Sequence, residues 1–251
     1  LTAYALQQAG LSVVVLEADR IAGGQTQNTT AKITSQHGLI YSRLIQSFGE
    51  ETARRYAKAN QDAVRAYQDL IDVQGISCDW EERCAYLYGP DVTVLQEEAE
   101  AARRLGLPAS FTREVSIPIP HDGAVCFEGQ AQFHPLKFLK VLADQLTIYE
   151  QSRVLTAEGD LLTTELGSVQ AEHIVFACHF PFVNFPGMYF ARMHQERSYV
   201  LALQGAPPVD GMFLGVGRDT FSLRTYGELL LLGGGGHRTG ENTEGGRYDL
   251  L

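Results

Sequence analysis

The sequence predicts a mixed fold in which a doubly wound α/β region is interleaved with a region of short antiparallel strands. Three observations predict it. A helix-period stretch closed by glycine (residues 2–10, TAYALQQAG) runs directly into a β-branched apolar run (residues 11–16, LSVVVL), the order of a helix feeding a buried parallel strand. Pro135 opens a second helix signal, followed by apolar segments at residues 148–149 and 173–177, which repeats that order. Residues 76–127 and 181–230 instead carry short strand signals with one helix between turn residues. The expected domains are therefore discontinuous: residues 1–75, 128–180 and 231–251 in one, residues 76–127 and 181–230 in the other.

Each element has its own reason. Residues 50–73 keep Ala53, Tyr56, Ala57, Ala63, Val64, Tyr67, Leu70 and Ile71 on one helical stripe, and Gly75 ends the helix. Pro90 and Asp91 start another helix through Arg104, stopped by Gly106 and Pro108. The helix from Pro135 runs to about Leu146. Strands are expected at residues 85–88, 124–127, 148–149, in a hairpin-like pair around Val154 and Val169, and at residues 173–177, 198–203, 212–214, 221–224 and 229–232.

Composition bounds the function. The chain has 251 residues, 45% of them hydrophobic, which is enough for a sizeable core. Against 30 Asp+Glu stand 20 Lys+Arg, a net charge of −10, so nucleic acid is not an expected partner. No apolar run approaches a membrane span. Cys78, Cys84, Cys126 and Cys178 lack CxxC spacing, which suits reduced thiols in a cytoplasmic protein better than a disulfide framework or structural zinc. The chain opens on Leu1 with a helix, where a parallel fold would need a preceding strand, so a fragment is expected.

The chemistry begins at Glu17, at the carboxyl end of the first apolar run. In a dinucleotide-binding βαβ unit a carboxylate there accepts hydrogen bonds from ribose hydroxyls, although surface strands also end in Glu. The loop that follows holds the pair Gly23 and Gly24 and then Thr26, Thr29 and Thr30. Glycines admit close backbone approach to a pyrophosphate, and the hydroxyls add neutral donors; the same residues would also make an ordinary polar loop.

At these residues the sequence resembles the FAD-dependent oxidoreductases of the D-amino-acid oxidase and glycine oxidase type, especially bacterial members with a C-terminal Rieske [2Fe-2S] domain. The resemblance is carried by VVVLEADRIAGGQTQNTTAKITSQHG (residues 13–38), AQFHPLKFLKVLA (131–143), HIVFACHFPF (173–182), YFARMHQERSYVLAL (189–203) and LLLLGGGGHRTG (229–240). It implies a Rossmann-like FAD-binding domain interleaved with an antiparallel substrate domain. It places Glu17 at the ribose, Ala18 among the cofactor-binding residues, and Gly23, Gly24, Thr26, Thr29, Thr30, Ala31 and Lys32 along the pyrophosphate and toward the isoalloxazine ring. Val154 would meet adenine through its backbone. The Gly-x-Gly-x-x-Gly turn of the family is expected before Leu1, and a last flavin-contacting segment and any iron–sulfur domain after Leu251. Without a Cys-x-His pair, no Rieske cluster is expected from these residues.

The resemblance implies hydride transfer from the CH–NH group of an amine or amino acid to flavin, with electrons passing on to oxygen or to an iron–sulfur domain. Candidate substrate-facing residues are Arg192, His194, Arg224 and Tyr226, with Arg197 and Tyr199 beside them, because a planar guanidinium holds a carboxylate by two parallel hydrogen bonds. Service at the domain interface is the competing role for each. His37 is expected to be a satisfied loop histidine, His134 to precede a helix, and His179 to lack companions at metal spacing, so no metal site is expected. The run Gly233 to Gly236 is expected in a turn or at close backbone approach to flavin. A non-catalytic flavin-fold docking module is the alternative reading, and a nicotinamide enzyme a lesser one.

Overall fold

The computed structural model describes residues 1–217 and 220–240. In chain order its elements are α1 (Thr2–Gln8), β1 (Val14–Leu16), β2 (Lys32–Ile33), α2 (Tyr41–Gln74), β3 (Glu81–Gly89), α3 (Val92–Arg104), β4 (Ala109–Thr112), β5 (Gly123–Gln132), α4 (Pro135–Ala143), β6 (Thr147–Tyr149), β7 (Val154–Glu158), β8 (Leu161–Thr164), β9 (Ser168–Gln170), β10 (Glu196–Gln204), β11 (Met212–Gly215), β12 (Ser222–Tyr226) and β13 (Leu229–Arg238). Short 3₁₀ turns cover Gln25–Asn28 and Tyr189–Ala191.

Local chemistry sets the helix ends. Asp91 caps α3, its carboxylate accepting from the Val94 amide at 3.1 Å. Gly75 closes α2 in the left-handed region, at φ 61°. α2 is longer than its predicted span because a further helical stretch precedes a kink at Gly49, whose φ of 79° breaks the helical path at no Cβ cost.

The chain divides into two compact units. They part at other places than the expected domains: residues 30–75 and 128–134 go with the antiparallel sheet, and residues 181–195 with the α/β elements. Residues 241–251, part of the expected first domain, lie outside the described residues.

The first unit comprises Leu1–Thr29 and Pro135–Gln195. β1 and β6 pair in parallel, Val15 opposite Ile148, and β7, β8 and β9 form an antiparallel sheet of three strands. The expected strand at residues 173–177 is not formed. Its apolar residues find no strand neighbour among the described residues, and Val175 and Phe176 stay 61% and 50% exposed, so hydrophobicity alone does not make a strand there.

The second unit comprises Thr30–His134 and the described residues from Glu196 onward. Its sheet runs β10-β13-β12-β11-β3-β5-β2, with β4 beside β5; β11 and β3 are parallel and the other pairs antiparallel. One core cluster joins Tyr41, Ala53 and Ala57 of α2 and Leu95 and Ala102 of α3 to Leu87, Val125, Phe127 and Met212 of the sheet. A second gathers Tyr88, Phe213, Leu223 and Leu230, with Val115, Ile117 and Ile119 packed on it. Gly233 to Gly236 lie inside β13 rather than in a turn, a correction to the expectation: Gly233 and Gly234 are held by the ladder to β10, and an added Cβ at Gly233 would already stand 3.5 Å from Ser222.

Candidate functional site

The first unit presents the carboxyl ends of two parallel strands, where open α/β sheets bind their ligands. Glu17 follows β1 directly. Its amide donates to the Tyr149 carbonyl at 2.9 Å and its carbonyl accepts from the Ser152 amide at 2.8 Å, so the turn after β6 is stitched alongside it. Gln151 continues the stitch to the Asp19 carbonyl at 2.9 Å, and the Ile21 amide donates to Glu150 Oε1 at 2.7 Å. This brings Val154, at the start of β7, within two residues of a direct partner of Glu17. Glu17 and Ala18 are half-buried, and the Asp19 amide holds the Glu17 carboxylate at 2.9 Å.

After Glu17 the loop turns at Gly23, whose amide donates to the Arg20 carbonyl at 3.0 Å, and enters the 3₁₀ turn that contains Thr26. The Asn28 amide group folds back onto the Gly24 carbonyl at 3.2 Å. A Cβ added at Gly24 would meet no atom within 4 Å, so the space against this backbone is open to a ligand. Thr29 leaves the turn in extended conformation. Arg192 and His194 also belong to this unit, both exposed, with Arg192 ending the 3₁₀ turn at Tyr189–Ala191.

The second unit begins at Thr30, which is half-buried. Ala31 is 4% exposed with φ 50°, a left-handed conformation that strains a residue bearing a Cβ, and its carbonyl accepts from the Phe133 amide. That kink delivers Lys32 into β2, opposite Gln132. Lys32 Nζ donates to the Phe213 carbonyl at 2.7 Å and to Ser222 Oγ at 2.6 Å. Loss of hydration, then the charge of nearby Arg224, brings its amine down to about 7.

Arg224 in β12 is 3% exposed, and its Nε and Nη1 have no hydrogen-bond partner. Burial lowers its pKa, while the charge of Glu81 opposes that shift. Its guanidinium carbon stands 5.6 Å from the centre of the Tyr226 ring. Tyr226 Oη donates to Asp79 Oδ2 at 2.8 Å, and His134 packs edge-on against the Tyr226 ring at 5.9 Å. Gln132 Nε2 donates to Glu81 Oε2 and to the Thr225 carbonyl, both at 3.0 Å.

Of the candidate residues, then, Lys32, Arg224 and Tyr226 meet in one cluster of the second unit, while in the first Glu17 and Ala18 lie beside the turn that leads into Val154. Arg197 and Tyr199 lie on β10, Tyr199 stacked on His237 with ring centres 5.8 Å apart. Ser222, Gln132, Glu81 and Asp79 join the Lys32 cluster without any spacing signal to mark them. His37 is exposed and bonded to Asn60 at 3.0 Å. Among the described residues no group of three or more His, Cys, Asp or Glu is placed to hold a metal ion, and no helix is long and apolar enough to cross a membrane.

The family model of the FAD dependent oxidoreductases (DAO) matches residues 1–250. This chain belongs to that family. Among curated relatives, the Bacillus subtilis (strain 168) protein YhfW, named for a Rieske 2Fe-2S iron–sulfur protein, is 36% identical over 96% of this chain and 50% of its own length. The gamma-glutamylputrescine oxidoreductase of Escherichia coli (strain K12) is 24% identical over 70% of this chain and 45% of its own. The chain thus spans about half the length of these relatives. Among solved structures, L-proline dehydrogenase from P. horikoshii aligns over 99% of this chain and 70% of its own, with TM-score 0.72 and 15% identity. Glycine oxidase from Geobacillus kaustophilus aligns over 97% and 70%, with TM-score 0.66 and 16% identity. At such identities the likeness shows the fold: a family member of mixed α/β architecture, Rossmann-like with an added sheet.

Proposed function

We propose that this chain is the flavin-bearing part of an enzyme that oxidises the CH–NH group of an amine or amino acid. The observation that carries the reading is Arg224, a buried guanidinium with two N–H donors lacking partners. A buried unpaired donor costs roughly 1–3 kcal/mol, more when charged, and an arriving anion removes that cost. A planar, buried guanidinium with N–H donors left unpartnered suits the oxygens of a carboxylate.

FAD, when bound, accepts the hydride from the carbon next to the amine. The residues fit the cofactor. Glu17 would accept from the ribose hydroxyls, the Val154 backbone would meet the adenine, and the backbone of Gly23 and Gly24, open at Gly24, would run along the pyrophosphate with Thr26, Thr29 and Thr30. Lys32, after the strained Ala31, would stand toward the ring system.

The side chains orient and neutralise rather than react. Arg224 draws in the substrate carboxylate, and the Tyr226 face keeps the guanidinium in place from below, itself fixed by Asp79. Lys32, near neutrality at physiological pH, adds a donor without forcing a second full positive charge beside Arg224. Arg192 and His194, both exposed, are proposed as further substrate-facing groups. Oxygen or an iron–sulfur domain would take the electrons, the second supported by the name of the Bacillus relative.

The test is a visible spectrum of the full-length protein after loading with FAD and removal of free cofactor, followed by anaerobic addition of amines and amino acids. Retained flavin bands that bleach with an amino acid support the reading. A protein that holds no flavin contradicts the cofactor assignment, and one whose flavin no amine bleaches contradicts the substrate class.

A further inference from the structure

The ladder of β12 places the Lys32 amine beside Arg224. β12 pairs with β13 without a register slip from Ser222 to Tyr226, so Ser222, Arg224 and Tyr226 project from one face of the strand. Lys32 Nζ donates to Ser222 Oγ at 2.6 Å and to the Phe213 carbonyl at 2.7 Å, and Phe213 stands opposite Leu223, the residue between Ser222 and Arg224. Side chains two apart on a strand stand about 6–7 Å from one another. An amino acid with a hydrogen bond of about 2.8–3.0 Å at each end can fill such a span, its carboxylate on Arg224 and its nitrogen on Lys32.

We propose that Lys32 neutralises the ammonium of the substrate by taking its proton, and that the substrate's own carboxylate, seated on Arg224, makes it do so. The proposal rests on the reading of Arg224 as the carboxylate anchor. A lysine amine has three positions beyond its stem. Two hold the N–H groups aimed at Phe213 and Ser222; the third is a lone pair when the amine is neutral and an N–H when it is charged. In the empty site, lost hydration and the charge of Arg224 hold the half-buried amine down at about 7, so above neutrality the lone pair is free. A carboxylate on Arg224 offsets that charge and raises the proton affinity of Lys32 as the ammonium arrives. Around the pair, Asp79 accepts from Tyr226 Oη at 2.8 Å, His134 packs on the same ring at 5.9 Å, and Glu81 of β3 acts on Arg224. Substitution of Lys32 separates its titration from theirs.

The step balances as a proton transfer. An N–H bond of the substrate's ammonium breaks, an N–H bond to Nζ forms, and the electron pair left on the substrate nitrogen becomes free. A zwitterionic amino acid and a neutral lysine become an amino carboxylate and a charged lysine, with no change in total charge. The freed pair forms the C=N bond as the adjacent C–H gives up its hydride, which a fully protonated nitrogen cannot do. The Lys32 cation so formed stands beside the bound carboxylate, which lies between it and Arg224.

A calorimetric measurement tests the coupling without turnover. The FAD-loaded full-length protein is titrated at about pH 8, above the value of Lys32 in the empty site, with propionate and butyrate, carboxylates that carry no amino group. Buffers of differing ionisation enthalpy report the protons exchanged. The expected result is uptake of most of one proton per carboxylate bound in the wild type and none in Lys32→Met. Binding without proton uptake in the wild type overturns the role of Lys32 alone. Failure of either carboxylate to bind overturns the Arg224 anchor and this proposal with it.

Anaerobic flavin reduction by an amino acid, followed from neutral to alkaline pH, then compares the wild type with Lys32→Met and Lys32→Arg. The arginine keeps a cation at this position but gives up no proton. Both variants should lose about 100-fold in the second-order rate constant at neutral pH and approach the wild type as rising pH supplies the free amine from solution. A loss that is the same at every pH, or full activity in Lys32→Arg at neutral pH, is what a purely structural role gives and overturns the proposal.

Discussion

Lys32 and Arg224, two cations far apart in sequence, lie close enough that the charge of Arg224 helps to depress the amine of Lys32. A protein that gathers like charges away from water has to meet them with something negative or give up a proton. Glu81 offsets part of this at Arg224, and the Phe213 carbonyl and Ser222 hydroxyl receive the Lys32 amine, but neither partners Arg224 Nε or Nη1.

The depressed amine has a pH signature. Between about 7 and the ordinary lysine value of 10.5, the unfolded chain keeps a proton on Lys32 that the folded protein has released, so Lys32 makes stability rise with pH across that window. Below it both states are protonated and the cost of the buried charge is present in full. The melting temperature of the wild type should therefore gain on that of Lys32→Met from neutral to alkaline pH. A constant difference between the two proteins across that range would contradict the burial of Lys32.

Glu98 should matter to folding rather than to chemistry. At 1% exposure it accepts from the amides of Ile40, Tyr41 and Ser42 at 2.9, 2.8 and 3.0 Å, satisfying the open N-terminus of α2. Glu98→Ala leaves those amides buried and should cost about 2–4 kcal/mol in urea unfolding. Glu98→Gln keeps one acceptor oxygen and should cost less. Equal stability of all three proteins would contradict this role.

Glu17 should act on cofactor affinity. Removing a carboxylate that receives the ribose hydroxyls, in Glu17→Ala, should raise the Kd for FAD about 10–100-fold, the worth of one or two charge-assisted hydrogen bonds. Fluorescence titration with FAD measures it directly. An unchanged Kd would remove Glu17 from the site.

How much of this was legible in the sequence varies by element. Helices with a capping Asp91 or a closing Gly75 carry their ends in their own residues, and the long strands announce themselves by short apolar runs. β2, of two residues, and β4, of four, are too short to leave a pattern and exist because β5 pairs with them. β13 outruns its leucines because backbone pairing carries glycines that show no side chain to read, whereas residues 173–177 have the side chains and no neighbour. At the site, Glu17, the Gly–Thr loop and Arg224 were readable as residue types in a family order. The cluster was not: Lys32 meets Ser222 across 190 residues, and only the folded sheet joins them.

The most direct test of the account measures anaerobic flavin reduction in the FAD-loaded full-length protein by an amino acid and by the corresponding amine without a carboxylate, in the wild type and in Arg224→Ala and Arg224→Lys. The account predicts that the second-order rate constant for flavin reduction by the amino acid falls about 100–1000-fold in Arg224→Ala, with Arg224→Lys recovering only part of it because an ammonium lacks the planar donors, while the amine reduces the flavin at a similar rate in all three. Equal losses for both substrates, or no loss for the amino acid, would contradict Arg224 as the carboxylate anchor.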